Sequence, residues 1–207
     1  MSQARLLERI LGNGAVCRSS MLIAAGVRPQ AIANALKTGL IVRAAPGAYY
    51  LAKTEVRQEL TDLAAACARK PKAVVCLASA AYLNQLTLNK PEVTWLALPI
   101  QAHAAIEGAS PERVVRWSFR GAFEVGLVST MICGVSVIHT DPARTVVDLI
   151  RYGRHFGGDG FGIEASRAYL EGGGAASALI DTAIATNAPL RAIGTLKTLL
   201  SALRAAA

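Results

Sequence analysis

At 207 residues the chain has room for one medium domain or a small domain beside a larger one; at 53% hydrophobic and 17% charged it can bury a core and is not a disordered polymer. No run of about 18 consecutive apolar residues occurs, which excludes a membrane-spanning helix, and Glu8 and Arg9 inside the first apolar segment argue for an amphipathic helix and against a secretory signal. Of the net charge of +8, +6 falls in residues 1–53, where Arg5, Arg9, Arg18, Arg28, Lys37, Arg43 and Lys53 stand against Glu8 alone, the footprint of a module that meets phosphates or of a basic solvated surface.

The spacing of Leu6, Leu7, Ile10 and Leu11 predicts a helix over Gln3–Leu11, stopped by Gly12-Asn13-Gly14. After the apolar run Ala15–Cys17, a serine of Ser19-Ser20 is the expected N-cap of a short helix, Met21–Ala25, closed by Gly26 in the left-handed region. Pro29 suits a first helical position, so a third helix runs from Pro29 to Thr38 and stops at Gly39. Its core stripe is Ile32 and Leu36; Gln30, Asn34 and Lys37 fall on the opposite face. LIVRAAPGAYYL reads as a β-hairpin turning at Pro46-Gly47, in which Tyr49 and Tyr50 alternate and one of them belongs to the core. Helix, short helix, glycine turn, helix, hairpin is the order of a winged helix-turn-helix over residues 1–53.

A further helix is expected over Thr54–Arg69, with Glu55, Arg57, Glu59 and Asp62 on a solvated face, then a break at Lys70-Pro71-Lys72; the domain boundary is expected loosely within residues 53–72. AVVCLASAAYLNQL is ambiguous at its start and helical in its alanine-rich half. Strands are predicted at Val93–Pro99, Arg113–Phe119, Gly126–Ile132 and Val135–Thr140, the last two joined tightly through Cys133-Gly134. Asp141 caps and Pro142 opens the next helix, HFGGDGFG reads as a loop, EGGGAASA as a helix stop and linker, and three helical stretches follow near Ile163–Glu171, Ala175–Thr186 and Pro189–Ala206. The fold class expected is α+β: the winged module, then a larger α+β domain over residues 54–207 with a small sheet and C-terminal helices.

The third helix is the candidate recognition element. Gln30 and Asn34 can each pair with an adenine edge, Lys37 can reach guanine or phosphate, and Arg28 can meet a base or the backbone; Arg18, Arg43 and Lys53 are phosphate candidates. Aromatic platforms for single-stranded RNA are scarce in the module. GGDGFG invites a phosphate-loop reading but lacks the GxxxxGK[ST] pattern and a preceding strand. Cys17, Cys67, Cys76 and Cys133 form no CxxC pair, and His103, His139 and His155 are not at ligand spacing, so no metal or disulfide framework and a reducing, cytoplasmic setting are expected. His139, Asp141 and Asp148 could suggest acid–base or metal chemistry; Asp141 is accounted for as a cap, and Asp148, between Arg144 and Arg151 on one helix, as part of a surface ion-pair ladder. No catalytic residue and no cofactor is expected.

LLERILGNGAVCRSSMLIAAGVRPQAIANALKTGLIVRAAPGAYYLA, with CLASAAYLNQL, EVTWLALP, VVRWSF and GVSVIHTDPARTVVDLIRYG in order after it, resembles the AbiEi family of antitoxins across residues 3–155. The resemblance implies a bacterial antitoxin of the type IV toxin–antitoxin class. Such a protein represses its own operon by binding inverted repeats through the winged module, and its C-terminal domain counteracts a nucleotidyltransferase toxin. It places DNA contacts on the elements carrying Arg18, Arg28, Gln30, Asn34, Lys37 and Arg43, and leaves Arg144, Arg151 and Arg154, a basic stripe at helical spacing, as candidates for partner binding. The alternatives are a stand-alone regulator of a mobile element with no toxin partner, and a nuclease with a DNA-binding arm, for which Asp141 and Asp148 are the only nearby acidic candidates.

Overall fold

The computed structural model describes residues 2–12, 15–53, 58–102 and 112–205, with only the backbone described at 45, 58, 59, 204 and 205. The start of the helix expected from Thr54, with Glu55, Arg57 and the Glu59 side chain, lies outside this set, as does His103. The fold is mixed α+β, in two compact units.

The first unit comprises Met1–Ala73 and, from further along the chain, Ser129–Val137. Helix α1 (Gln3–Leu11) is capped by Ser2, whose side chain accepts the Arg5 N–H, and buries Leu6, Leu7 and Leu11. Strand β1 (Cys17–Arg18) leads into α2 (Ser19–Ala24), and α3 (Pro29–Lys37) follows a turn in which Gly26 takes φ +91°. Strands β2 (Ile41–Ala45) and β3 (Ala48–Leu51) form the hairpin through Pro46-Gly47. Their sheet has the order β1-β3-β2, with Cys17 opposite Tyr49 on one side and Arg43 opposite Tyr49 on the other. Tyr49 is the buried member of the tyrosine pair and Tyr50 the half-buried one.

One expectation is corrected here. Helix α2 starts at Ser19, with Arg18 in the cap position, and no serine caps it; the Ser19 N–H is taken by the Gly47 carbonyl of the hairpin turn at 2.9 Å. The compact first unit runs on past residue 53. Helix α4 (Gln58–Arg69) packs its buried run Leu63–Cys67 over β1, β2 and β3, and the unit ends at Ala73. Asp62 on its outer face is exposed, as expected.

The second unit, Val74–Val128 with Ile138–Ala207, contains β4 (Val74–Val75), α5 (Leu77–Leu83), β5 (Thr94–Pro99) and β6 (Glu112–Trp117). The hairpin strands β7 (Leu127–Ile132) and β8 (Val135–Thr140) complete a five-stranded sheet of order β6-β5-β4-β8-β7. It is mixed: β4 runs antiparallel to β5 and parallel to β8, and β5 parallel to β6. Cys133 and Gly134 both take positive φ (49° and 74°), the geometry of a two-residue hairpin turn. That tip counts with the first unit, where the Val16 N–H donates to the Cys133 carbonyl at 2.7 Å.

Helices α6 (Pro142–Arg151), α7 (Gly160–Glu171), α8 (Ala176–Ala185) and α9 (Leu190–Ala205) follow the sheet. Trp95, Trp117, Leu149, Ile150, Leu179 and Leu196 anchor their shared core. HFGGDGFG is more ordered than the expected loop: Gly153–Phe156 is a 3₁₀ turn, and Gly160-Phe161-Gly162 is already the first turn of α7. The reason is packing, since Gly162 lets α7 approach α6 so closely that a Cβ there would lie 2.6 Å from Ile150.

Candidate nucleic-acid interface

Helix α3 has a buried and an open side. Ile32 and Ala35 are buried and Leu36 packs beside them, while Gln30, Asn34 and Lys37 are exposed, each about one turn from the next on one stripe. Gln30 Nε2 donates to Asn34 Oδ1 at 3.3 Å, so the two amides are pre-ordered along the helix. Arg28 occupies the N-cap position and is exposed, and its side chain makes no cap bond.

Sequence reasoning missed what holds this helix. Gln3 of α1 accepts the Arg28 N–H at 2.8 Å and donates to the Gly26 carbonyl at 3.4 Å, so one amide spans the turn between α2 and α3. A bond between residues 25 apart leaves no local signature.

Arg43 on β2 and Lys53 in the turn after β3 are exposed, and Arg18 on β1 is half-buried. The Arg43 guanidinium lies 5.9 Å from the centroid of its cross-strand neighbour Tyr49, within cation–π range. Arg69, at the end of α4, is a cation that the reading of residues 1–53 left out. Burial, and then the positive charge of Arg18, hold its guanidinium below the usual value. The described surface therefore has a polar helix stripe together with cations on β1, on β2 and two residues past β3.

The second set of candidates divides differently. Arg144 and Asp148 have fully buried side chains, so the expected surface ladder is instead an internal network and the basic stripe is not a surface stripe. Arg144 Nε donates to Asp148 Oδ2 at 2.8 Å, its terminal nitrogens donate to the carbonyls of Val125 (2.6 Å) and Ala122 (3.2 Å), and it stacks 4.6 Å from the Trp117 ring centroid. Arg151 pairs with Asp148 at 3.4 Å and donates to the Thr186 carbonyl and hydroxyl at 2.8 and 2.9 Å. Burial holds the Asp148 carboxyl above the usual value, against the opposing pull of the two guanidiniums. Of the three arginines only Arg154 is exposed. Asp141 is the helix cap expected, accepting the Arg144 N–H at 2.7 Å, and His139 Nδ1 lies 3.0 Å from the Thr140 carbonyl. Among the described residues no three His, Cys, Asp or Glu side chains are grouped to hold a metal ion, and no helix is long and apolar enough to cross a membrane.

No family model matches the chain, and no curated protein matches it. The fold has a solved counterpart. The chain is similar to the crystal structure of the RV2827C protein from Mycobacterium tuberculosis, with a TM-score of 0.67 and 16% identity over 96% of this chain and 74% of that one. At this identity the likeness shows the mixed α+β fold alone.

Proposed function

We propose that the first unit is a winged helix that reads duplex DNA, with α3 in the major groove and the β2–β3 hairpin against the backbone. The observation that carries this reading is the exposed stripe Gln30–Asn34–Lys37 on a helix whose other face is buried. Gln and Asn offer the paired donor and acceptor that an adenine edge needs, and Arg28, Arg18, Arg43 and Lys53 supply charge for phosphates on either side of the stripe. On the AbiEi resemblance, the target is the protein's own operator, built as inverted repeats, and the second unit counteracts a nucleotidyltransferase toxin in the cytoplasm.

Two measurements test the two halves. Fluorescence anisotropy at about 150 mM salt should show preference for the protein's own upstream region over random duplex, with an affinity that falls as salt rises by a log–log slope of about 0.9 per phosphate neutralised. Equal binding to both duplexes removes the repressor reading. Co-expression with the neighbouring gene, where it encodes a nucleotidyltransferase, should rescue growth. A neighbour of another kind, or no rescue, leaves a stand-alone regulator.

A further inference from the structure

The second unit carries a basic cleft that DNA reading does not use. We propose that it binds the phosphate group of a small phosphorylated molecule. The cleft has a volume of about 570 Å³, and its walls include Arg151, Arg154 and Arg191 against the single carboxylate of Asp159. That volume suits a small organic ligand, and an excess of guanidinium forks selects phosphate, whose oxygens they meet two at a time.

Each wall residue is placed for this task. Asp159 is already engaged, because Arg191 Nη1 donates to both its oxygens at 2.8 and 2.6 Å and the Thr195 hydroxyl lies 3.2 Å away, while Arg191 Nη2 donates to the Ile150 carbonyl at 2.9 Å, so Arg191 anchors the wall and adds long-range charge. Arg151 is fixed before any ligand arrives. Its side chain is only 7% exposed, paired through Nε with Asp148 at 3.4 Å, held by Thr186 and stacked 3.8 Å from the Phe119 centroid. Asp148, buried behind it, balances Arg144 and Arg151 from within the core and does not line the cleft. Arg154 is exposed and forms no hydrogen bond or ion pair with any described residue, so its fork is available to close over an anion.

The backbone adds to the side chains. Gly157 and Gly158, at φ +75° and +134°, fold the chain back so that the Gly158 N–H reaches the Gly153 carbonyl at 3.0 Å. This turn sets Gly158 and Asp159, the two residues that precede the twelve-residue α7, in the cleft wall. The Asp159 side chain makes no cap bond there, and the space where a Gly160 side chain would project is open for 4 Å. Uncapped first-turn N–H groups and the helix dipole favour the same kind of ligand as the arginines do. The glycine run therefore acts without a P-loop pattern: it shapes a wall, and the guanidiniums supply the charge.

The test is a titration of the full chain with inorganic diphosphate at about 150 mM salt, followed by amide chemical shifts. Shifts should concentrate in residues 151–162, and Arg154→Gln, which removes no internal contact, should weaken binding by about tenfold or more while duplex-DNA affinity stays unchanged. Arg154→Lys, which keeps the charge and loses the fork, should fall between the two. Shifts confined to residues 28–43, binding unaltered in Arg154→Gln, or an equal response to acetate overturns the proposal. A parallel loss of DNA affinity also overturns it, since the cleft would then serve the nucleic-acid backbone and not a small phosphate.

Discussion

The side chain of Gln3 accepts a hydrogen bond from the backbone N–H of Arg28, 25 residues away, at 2.8 Å. The same amide reaches the Gly26 carbonyl, so α1 fixes the angle at which α3 leaves the turn. Both bonds are exposed to water, and each is worth about 0.5–1.5 kcal/mol. Gln3→Ala should lower unfolding stability in urea by about 1 kcal/mol. If α3 reads bases, the variant should also lose preference for the operator over random duplex, a change that a purely structural bond would not produce.

Asn34 and Arg43 should separate base reading from phosphate contact. Asn34 lies on the α3 stripe beside Gln30, and Asn34→Ala should relax sequence preference by about 1–3 kcal/mol in competition binding. Arg43 sits on the hairpin, and Arg43→Ala should weaken every duplex alike and reduce the salt slope by about one unit. If the two variants behaved the same way, the division of labour between helix and hairpin would be wrong.

Asp148 should be critical to folding. It is fully buried between Arg144 and Arg151, and the Arg144 guanidinium cannot leave for solvent without opening the core. Removing one member of a buried ion pair leaves the other charges uncompensated, at a cost of about 3–5 kcal/mol. Asp148→Asn should therefore lose about that much stability in chemical denaturation, far beyond the roughly 0.3–0.5 kcal/mol of an exposed helix pair. A loss within the exposed-pair range would return Asp148 to the surface-ladder reading.

That contrast shows what the sequence could and could not reveal. Asp141-Pro142, Pro29 and Gly26 announce their roles locally, because a cap, a first helical turn and a left-handed residue are set by a few adjacent atoms. An Arg and an Asp four apart look the same on an open helix face and in a core. The clue lay in TVVDLI, where Asp148 stands among Val146, Val147, Leu149 and Ile150, all buried. The exposed stripe of α3 was legible because Ile32 and Leu36 set one face of the helix and so set the other. Gln3, Arg69 and the membership of Ser129–Val137 in the first unit depend on long-range packing, which no window of residues encodes. The cleft gathers Arg151, Arg154 and Arg191 from α6, the 3₁₀ turn and α9, and is invisible for the same reason.

Two helical glycines should respond with opposite signs. A Cβ at Gly162 would meet Ile150 Cγ1 at 2.6 Å and the Ile150 backbone nitrogen at 3.0 Å, and backbone cannot step aside as a side chain can. Gly162→Ala should destabilise by about 1–3 kcal/mol through overpacking. Gly194, within α9, has nothing within 4 Å of its Cβ position, so Gly194→Ala should stabilise by about 0.5–1 kcal/mol by restricting the unfolded chain. Thermal unfolding of the two variants side by side checks both signs.

Tyr152 should give the fold an alkaline limit. Burial, reinforced by the negative charge of Asp148 and opposed by Arg151, pushes its phenol up to about 12 from the ordinary value of 10.0. The folded state therefore holds this proton more tightly than the unfolded state does. Its stability is intact below pH 10 and declines as pH rises from there through about 12, because over that window only the unfolded chain gains from ionising. Absorbance of phenolate at high pH should show a tyrosine lagging the rest in the native protein, and Tyr152→Phe should remove that lag. The same substitution should flatten the fall of unfolding stability between pH 10 and 12; an unchanged slope would mean that Tyr152 ionises as freely in the fold as outside it.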